Sequence, residues 1–371
     1  MDAGIDPSLD RFDLAVDAMG GDGAPGIVID GLAIAATRHP RGRFLVFGDE
    51  AVVAPLIAAK AFQPGQVTLR HASERVSGEM KPTVALRLRD SSLRRAIDSV
   101  ATGEAAGVIS AGNSGAMLAL AKIVIKTMPG IDRPALAAIG PSAKGDVVML
   151  DLGANLACDP RNLVEFAIMG EVFARCVLGL PSPRVGLLNV GSEEQKGDEK
   201  LRQAAETLRA SPLADQFHGF VEGHDITAGT TDVVVTDGFS GNIALKTGEG
   251  AFRLVGSLLK QVYGGSLLAK IGYLLARPGL ERLREWLNPA RYNGAVLIGL
   301  NGIVVKSHGG ADAEGFAHAT DLAWDLVTHQ AIGRIRDGLA QVAHGTQAAA
   351  ATVVTGEADP KTARDMGQVV S

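Results

Sequence analysis

The chain has 371 residues, 46% of them hydrophobic, 21% charged and 4% aromatic, with a net charge of −5. That apolar content with so modest a charge excludes a disordered chain, and the acidic balance argues against a nucleic-acid binder. Two cysteines cannot build a disulfide scaffold, so a reducing compartment is expected. Glycine is the outlier at 46 residues, but without the three-residue period of collagen. Residues 1–11 are acidic and polar, with no apolar signal core. No stretch reaches about 18 uninterrupted apolar residues, so no membrane-spanning helix is expected. The starting expectation is a soluble cytoplasmic protein.

In chain order, short apolar runs lead into small-residue loops and then into helical patterns. Residues 14–17 lead into 18–26, and 43–47 end at Gly48-Asp49. Residues 107–110 lead into 111–115, and 147–150 into 151–155. Residues 185–189, 233–236 and 303–305 do the same. Alternating strands and helices predict an α/β fold with a mainly parallel or mixed sheet. In such folds ligands bind beyond the carboxyl ends of the strands, where these loops fall. We expect a disordered tail at 1–11, an α/β catalytic domain of two lobes at 12–344, and a disordered tail at 345–371.

Residues 253–291 form an unusual insertion. They carry Arg253, Lys260, Lys270, Arg277, Arg282, Arg284 and Arg291 against Glu281 and Glu285. Leu267, Leu268, Ile271, Leu274 and Leu275 share one helix face. Pro278-Gly279 should break the pattern, with Leu280, Leu283, Trp286 and Leu287 starting a second stripe. Either a helical hairpin at a core or dimer interface, or a basic amphipathic element on anionic lipid, fits this pattern.

Gly21-Asp22-Gly23-Ala24-Pro25-Gly26 satisfies G-x-G-x-x-G after a strand, and Asp49 ends the next one. A dinucleotide site would need this pattern. Asp22, however, would face a pyrophosphate with negative charge, and Pro25 removes an amide donor. Other loops suit an anion better. Ser110-Ala111-Gly112-Asn113-Ser114-Gly115 opens a helix, and its glycines admit a ligand to free amides; helix capping is the plainer reading. Asp237-Gly238-Phe239-Ser240-Gly241-Asn242 repeats this logic, and Lys246 shares a helix face with Asn242. The shared Gly-x-Ser-Gly could mark an internal duplication. Lys196, beside Glu193 and Glu194, is either a surface charge or a phosphate ligand. His308, after Lys306-Ser307, is either structural or a proton donor. Cys158 sits among acids that would raise its pKa, so it should be inert. No metal-ligand spacing and no nucleophile elbow appear.

Taken together the motifs are recognisable. They include Val16-Asp17-Ala18-Met19-Gly20-Gly21-Asp22, Ile109-Ser110-Ala111-Gly112-Asn113-Ser114-Gly115-Ala116 and Gly130-Ile131-Asp132-Arg133-Pro134-Ala135-Leu136. Leu150-Asp151-Leu152-Gly153-Ala154-Asn155, Phe166-Ala167-Ile168-Met169-Gly170 and Pro183-Arg184-Val185-Gly186-Leu187-Leu188-Asn189-Val190-Gly191 follow. Thr236-Asp237-Gly238-Phe239-Ser240-Gly241-Asn242 and Val305-Lys306-Ser307-His308-Gly309 complete the set. In this order, over about residues 12–335, they resemble the bacterial phosphate acyltransferase family of phospholipid synthesis.

The resemblance implies a three-layer α/β/α fold, like isopropylmalate dehydrogenases and phosphotransacetylases, usually as a homodimer. It implies that inorganic phosphate attacks the thioester of a long-chain acyl carrier protein, giving acyl phosphate for a downstream membrane glycerol-phosphate acyltransferase. No cofactor, metal or nucleic acid is implied. Carried over by motif, Lys196, Asn242 and His308 are the expected catalytic residues. Asn113, Ser114, Gly115, Gly241, Lys246 and Lys306 are the expected substrate contacts. The resemblance also favours the anionic membrane surface, at the inner face of the cell membrane, as the partner of 253–291. The acidic carrier protein requires a basic surface. Arg87, Arg89, Arg94 and Arg95 are one candidate and 253–291 the other.

Overall fold

A computed structural model describes residues 12–286 and 291–341. The expected tails at 1–11 and 345–371 lie outside the described residues, as do positions 342–344. The chain opens with β1 (Asp13–Asp17), α1 (Gly26–Arg38), β2 (Arg43–Gly48), α2 (Glu50–Ala58) and β3 (Val67–His71). Next come α3 (Pro82–Ala85), α4 (Ser92–Ala101), β4 (Gly107–Ser110) and α5 (Ser114–Val124). The antiparallel pair β5 (Ala135–Ser142) and β6 (Gly145–Leu150) leads into α6 (Pro160–Leu178), β7 (Val185–Leu188) and α7 (Glu199–Arg209). Then follow β8 (Phe217–Val221), α8 (Gly223–Ala228), β9 (Val233–Val235), α9 (Gly238–Gly264) and α10 (Leu267–Trp286). The chain returns through β10 (Ala295–Ile298) and β11 (Ile303–Lys306) to α11 (Ala313–Thr328).

All eleven described strands join one mixed sheet in the order β3-β2-β1-β4-β11-β10-β5-β6-β9-β7-β8. β1 to β4 and β11 form one parallel block, and β6 to β9 another. Between them β10 runs antiparallel to both β11 and β5, and β5 antiparallel to β6. The two parallel blocks therefore run in opposite senses along one sheet.

Burial on both faces makes three layers. Leu14 and Val16 point into one core cluster with α1, α6 and α11, while Ala15 points into another with α4 and α5. In the second block Val148 and Leu150 face α6, whereas Val147 and Met149 face α8 and the Ala244-Leu245 turn of α9. This alternation has the two-residue period of a strand covered on both sides. The expected α/β/α architecture is thus present.

The insertion is a helical pair. α9 starts against the sheet and runs out into α10, which is continuous through Pro278. That corrects the expected break at Pro278-Gly279. An exposed helix loses only one backbone bond at proline, and water can serve the freed carbonyl. The Gly-x-Ser-Gly echo is not a structural repeat either. Asn113 caps α5 as the second residue of its motif, whereas the residue before the second motif, Asp237, caps α9.

Candidate active site

The carboxyl ends of β1 and β4 are joined by a buried carboxylate. Asp17 accepts hydrogen bonds from Ser92 Oγ at 2.6 Å, Ser110 Oγ at 2.7 Å and the Met19 amide at 3.2 Å. Burial pushes its pKa up, while these donors and the Lys306 charge oppose the rise. A Cβ on Gly20 would stand 2.5 Å from Asp17 Oδ2 and 2.7 Å from the Gly112 nitrogen. Glycine is therefore required for the two loops to meet.

Lys306 ends β11 beside this pair. Its ammonium donates to the carbonyls of Ala111, at 3.2 Å, and Ser307. Burial lowers its pKa to about 8; Asp17 and Asp22 pull it up and the Lys246 ammonium pushes it down. Lys246 lies on α9, which begins in the second block.

His308 presents its side chain to solvent. Its amide donates to Asn293 Oδ1 at 2.8 Å, and Asn293 Nδ2 donates to Ser307 Oγ at 2.9 Å. The Gly310 amide donates to His308 Nδ1 at 3.1 Å, which places the ring proton of the neutral tautomer on Nε2.

In the second block, Asp151 turns the loop after β6. Its carboxylate accepts from the amides of Leu136, Gly153, Ala154 and Asn155 at 2.7–3.1 Å. The start of α9 packs directly on this loop: the Gly238 amide donates to Asn155 O at 2.7 Å. A Cβ on Gly241 would lie 1.9 Å from Asp151 O, an impossible approach, so only glycine fits. Asn242 sits above Gly153, whose added Cβ would touch the Asn242 side chain at 3.7 Å.

The expected site residues divide by what their side chains already do. Lys196 is exposed on the loop after β7, with its stem against Gly191. The Lys196 ammonium, the Asn242 carboxamide and His308 Nε2 take no protein hydrogen bond among the described residues, and Ser114 is exposed at the first turn of α5. Asn113 is occupied: its oxygen caps α5 through the Ala116 amide at 3.0 Å, and its nitrogen donates to the Gly78 and Met80 carbonyls. The Gly241 amide donates to Asp237 O at 2.9 Å, so it is not a free donor. Gly115 packs under Pro82. Lys246 shares its charge with Glu249 at 3.0 Å. No hydrogen bond or ion pair among the described residues joins Lys196 to the Lys306 side of the site.

The dinucleotide reading fails in detail. Pro25 stands at the entry to α1, and Asp49 caps α2 by accepting from the Ala51 amide at 3.0 Å. Burial and the charges of Asp151 and Asp237 push the Cys158 thiol up to about 12, so it is inert as expected. Among the described residues no cluster of acids, histidines and cysteines could hold a metal ion. The residues that the loop motifs alone did not single out as functional are Asp17, Ser92, Asp151 and Asn293. An acid closing an apolar strand was the available signal for Asp17; nothing local marked Asn293. Exposed ammonium, carboxamide and imidazole donors without protein partners among the described residues suit a phosphate and a developing oxyanion.

Comparison with known proteins bears on the family and the fold. The model of the fatty acid synthesis protein family matches residues 12–334. A phosphate acyltransferase of Granulibacter bethesdensis is 69% identical over 333 residues, covering 90% of each chain. One of Rhodospirillum centenum is 56% identical over 94% of this chain and 99% of its own. A phosphotransacetylase structure from Streptococcus pyogenes, 19% identical, superposes with a TM-score of 0.56 over 87% of this chain and 94% of that one. A 4-hydroxythreonine-4-phosphate dehydrogenase from Klebsiella pneumoniae, 17% identical, gives 0.51 over 85% and 100%. At those identities the structures share the fold. By sequence, the chain belongs to the fatty acid synthesis protein family and is a bacterial phosphate acyltransferase, an acyltransferase of lipid synthesis.

Proposed function

We propose that the enzyme reversibly transfers a long-chain acyl group from an acyl carrier protein thioester to inorganic phosphate. A phosphate oxygen attacks the thioester carbonyl carbon, the new C–O bond forms, and the C–S bond breaks. The thiolate leaves and takes up a proton, giving acyl phosphate and the free carrier. Phosphate is already an oxyanion near neutral pH, so the chemistry needs no serine or cysteine nucleophile. It needs charge stabilisation and positioning.

In this reading Lys196 and Asn242 hold the phosphate and the tetrahedral oxyanion. Ser114 and the first-turn amides around Gly115 add donors, while Asn113 and Gly241 shape the loops that present them. Lys246 and Lys306 supply charge from the two blocks. His308 Nε2 protonates or orients the leaving thiolate. The observation that supports the reading is that the Lys196 ammonium, the Asn242 carboxamide and His308 Nε2 take no protein hydrogen bond among the described residues, at loops that end strands of the sheet. Unpartnered donors of this kind suit a bound phosphate.

The carrier protein would dock on a basic surface. Arg87 and Arg89 are exposed and take no ion-pair partner among the described residues, whereas Arg94 and Arg95 are held by Asp98 and Asp90. Residues 253–291 would rest on anionic lipid at the inner face of the membrane. The exposure of Leu267, Leu268, Ile271, Leu274 and Leu275 supports that role. The enzyme would act as a cytoplasmic homodimer bound peripherally there. It would supply acyl phosphate to a membrane glycerol-phosphate acyltransferase. The test is to incubate the enzyme and phosphate with palmitoyl carrier protein, palmitoyl coenzyme A or acetyl coenzyme A. Acyl phosphate formed preferentially from the carrier protein is the expected result; acetyl phosphate as the main product would overturn it.

A further inference from the structure

We infer that Asn293 is a positioning residue for the reaction: its carboxamide fixes His308 so that the imidazole presents Nε2 in one place. The inference deepens the acyl transfer proposed above and rests on the role given there to His308. An exposed imidazole on a loop would by itself sample several rotamers, whereas proton delivery needs one geometry.

The constraint starts in the sheet. β10 pairs antiparallel with β11, with Ala295 opposite Lys306. Continuing that register by two residues puts Asn293 opposite His308, just beyond the last paired residues. There a side chain replaces the backbone ladder. Asn293 Oδ1 accepts from the His308 amide at 2.8 Å, and Asn293 Nδ2 donates to Ser307 Oγ at 2.9 Å. Serving a donor and an acceptor on consecutive residues takes one oxygen and one nitrogen, which is what a carboxamide offers. Ser307 is buried; its amide donates to Ser110 O at 2.9 Å and its carbonyl accepts from the Lys306 ammonium. His308 therefore follows an anchored residue and has its own amide anchored too. The Gly310 amide then holds Nδ1 at 3.1 Å. Among the described residues only Nε2 of the ring is left without a partner, the atom that would protonate or orient the leaving thiolate.

Asn293 is itself held in place. The hydroxyl of its neighbour Tyr292 donates to Asp146 Oδ1 at 3.0 Å, and Arg291 pairs with the same carboxylate at 3.5 Å. Asp146 lies on β6, so the segment before Asn293 is tied to the second block while Asn293 itself is tied to β11. Against α11 the fit is close. A Cβ added at Gly315, in the first turn of that helix, would stand 2.9 Å from Asn293 Nδ2. The carboxamide thus packs into space that the glycine leaves.

The test is a double-mutant cycle on the palmitoyl carrier protein reaction, with circular dichroism checking the fold. His308→Ala and Asn293→Ala should each lower kcat by about tenfold or more, and the double variant should fall no further than His308→Ala alone. The KM for phosphate should stay at the wild-type value in all three, because Lys196 and Asn242 stand on other loops. Gly315→Ala, which crowds the carboxamide without removing it, should also lower kcat, and should add nothing in the His308→Ala background. It carries the test if Asn293→Ala fails to fold. Losses that multiply, or a rise in the KM for phosphate that matches the fall in kcat, would overturn the positioning role and leave His308 in its own. Wild-type kcat in His308→Ala would overturn both. If the wild-type enzyme forms no acyl phosphate, the transfer reading fails and the inference with it.

Discussion

Ser110 Oγ donates to Asp17 Oδ2 at 2.7 Å and accepts from the Gly112 amide at 2.9 Å. One hydroxyl thus couples the end of β1 to the loop that opens α5. Both Ser110 and Ser92 are buried. Removing the carboxylate would strand two hydroxyls out of reach of water. Asp17→Ala should therefore lower stability by about 2–4 kcal/mol. A urea midpoint matching wild type would contradict this role.

Lys306 is expected to set the alkaline limb of activity. Its ammonium is lost as pH rises through about 8, so turnover should fall above that pH. The unfolded chain keeps its proton to about 10.4. Between these values the unfolded state binds more protons, so stability should rise with pH while activity falls. Lys306→Arg, which stays charged, should flatten the alkaline limb if the guanidinium is tolerated. Asp17→Asn removes a charge that raises the Lys306 pKa, and should move the limb to lower pH. Rate profiles from pH 6 to 10 read both effects.

Among the described residues the Lys196 ammonium has no protein partner. Lys196→Ala should cut turnover by at least about tenfold with the fold intact, as for loss of a charged transition-state contact. Wild-type turnover in a folded variant would remove Lys196 from the site.

Two glycines of α9 should respond in opposite ways. At Gly241 a Cβ would collide with Asp151 O, while at Gly248 it would meet nothing within 4 Å. Gly241→Ala should displace the helix start, costing about 1–3 kcal/mol and most of the activity. Gly248→Ala should stabilise by up to about 1 kcal/mol and leave turnover intact. Thermal unfolding and initial rates of the two variants separate these cases.

Leu268 and Leu275 are 80% and 79% exposed. Changing both to Asp should abolish flotation with anionic liposomes while leaving the protein folded. Flotation equal to wild type would place the lipid contact elsewhere.

The sequence by itself determined the chemistry-bearing loops and the alternation that makes an α/β fold. Residues 107–110 fold as the strand their pattern predicts, and 14–17 and 43–47 lie within β1 and β2. β3, β5, β8 and β10 escaped the pattern reading for local reasons. β5 is alanine-rich with a Gly-Pro pair, and β8 carries His218 and Gly219. Such residues become strands because paired neighbours supply their hydrogen bonds and packing. Only the tertiary structure decided which donors are spent and which are free. Asn113 and Asn242 look alike as loop asparagines, yet one closes the backbone of residues 78–80 and the other faces open space. The junction of the Asp17 carboxylate with Ser92 and Ser110 was equally beyond local sequence. It depends on β1 and β4 lying side by side, a relationship set by strand order and packing.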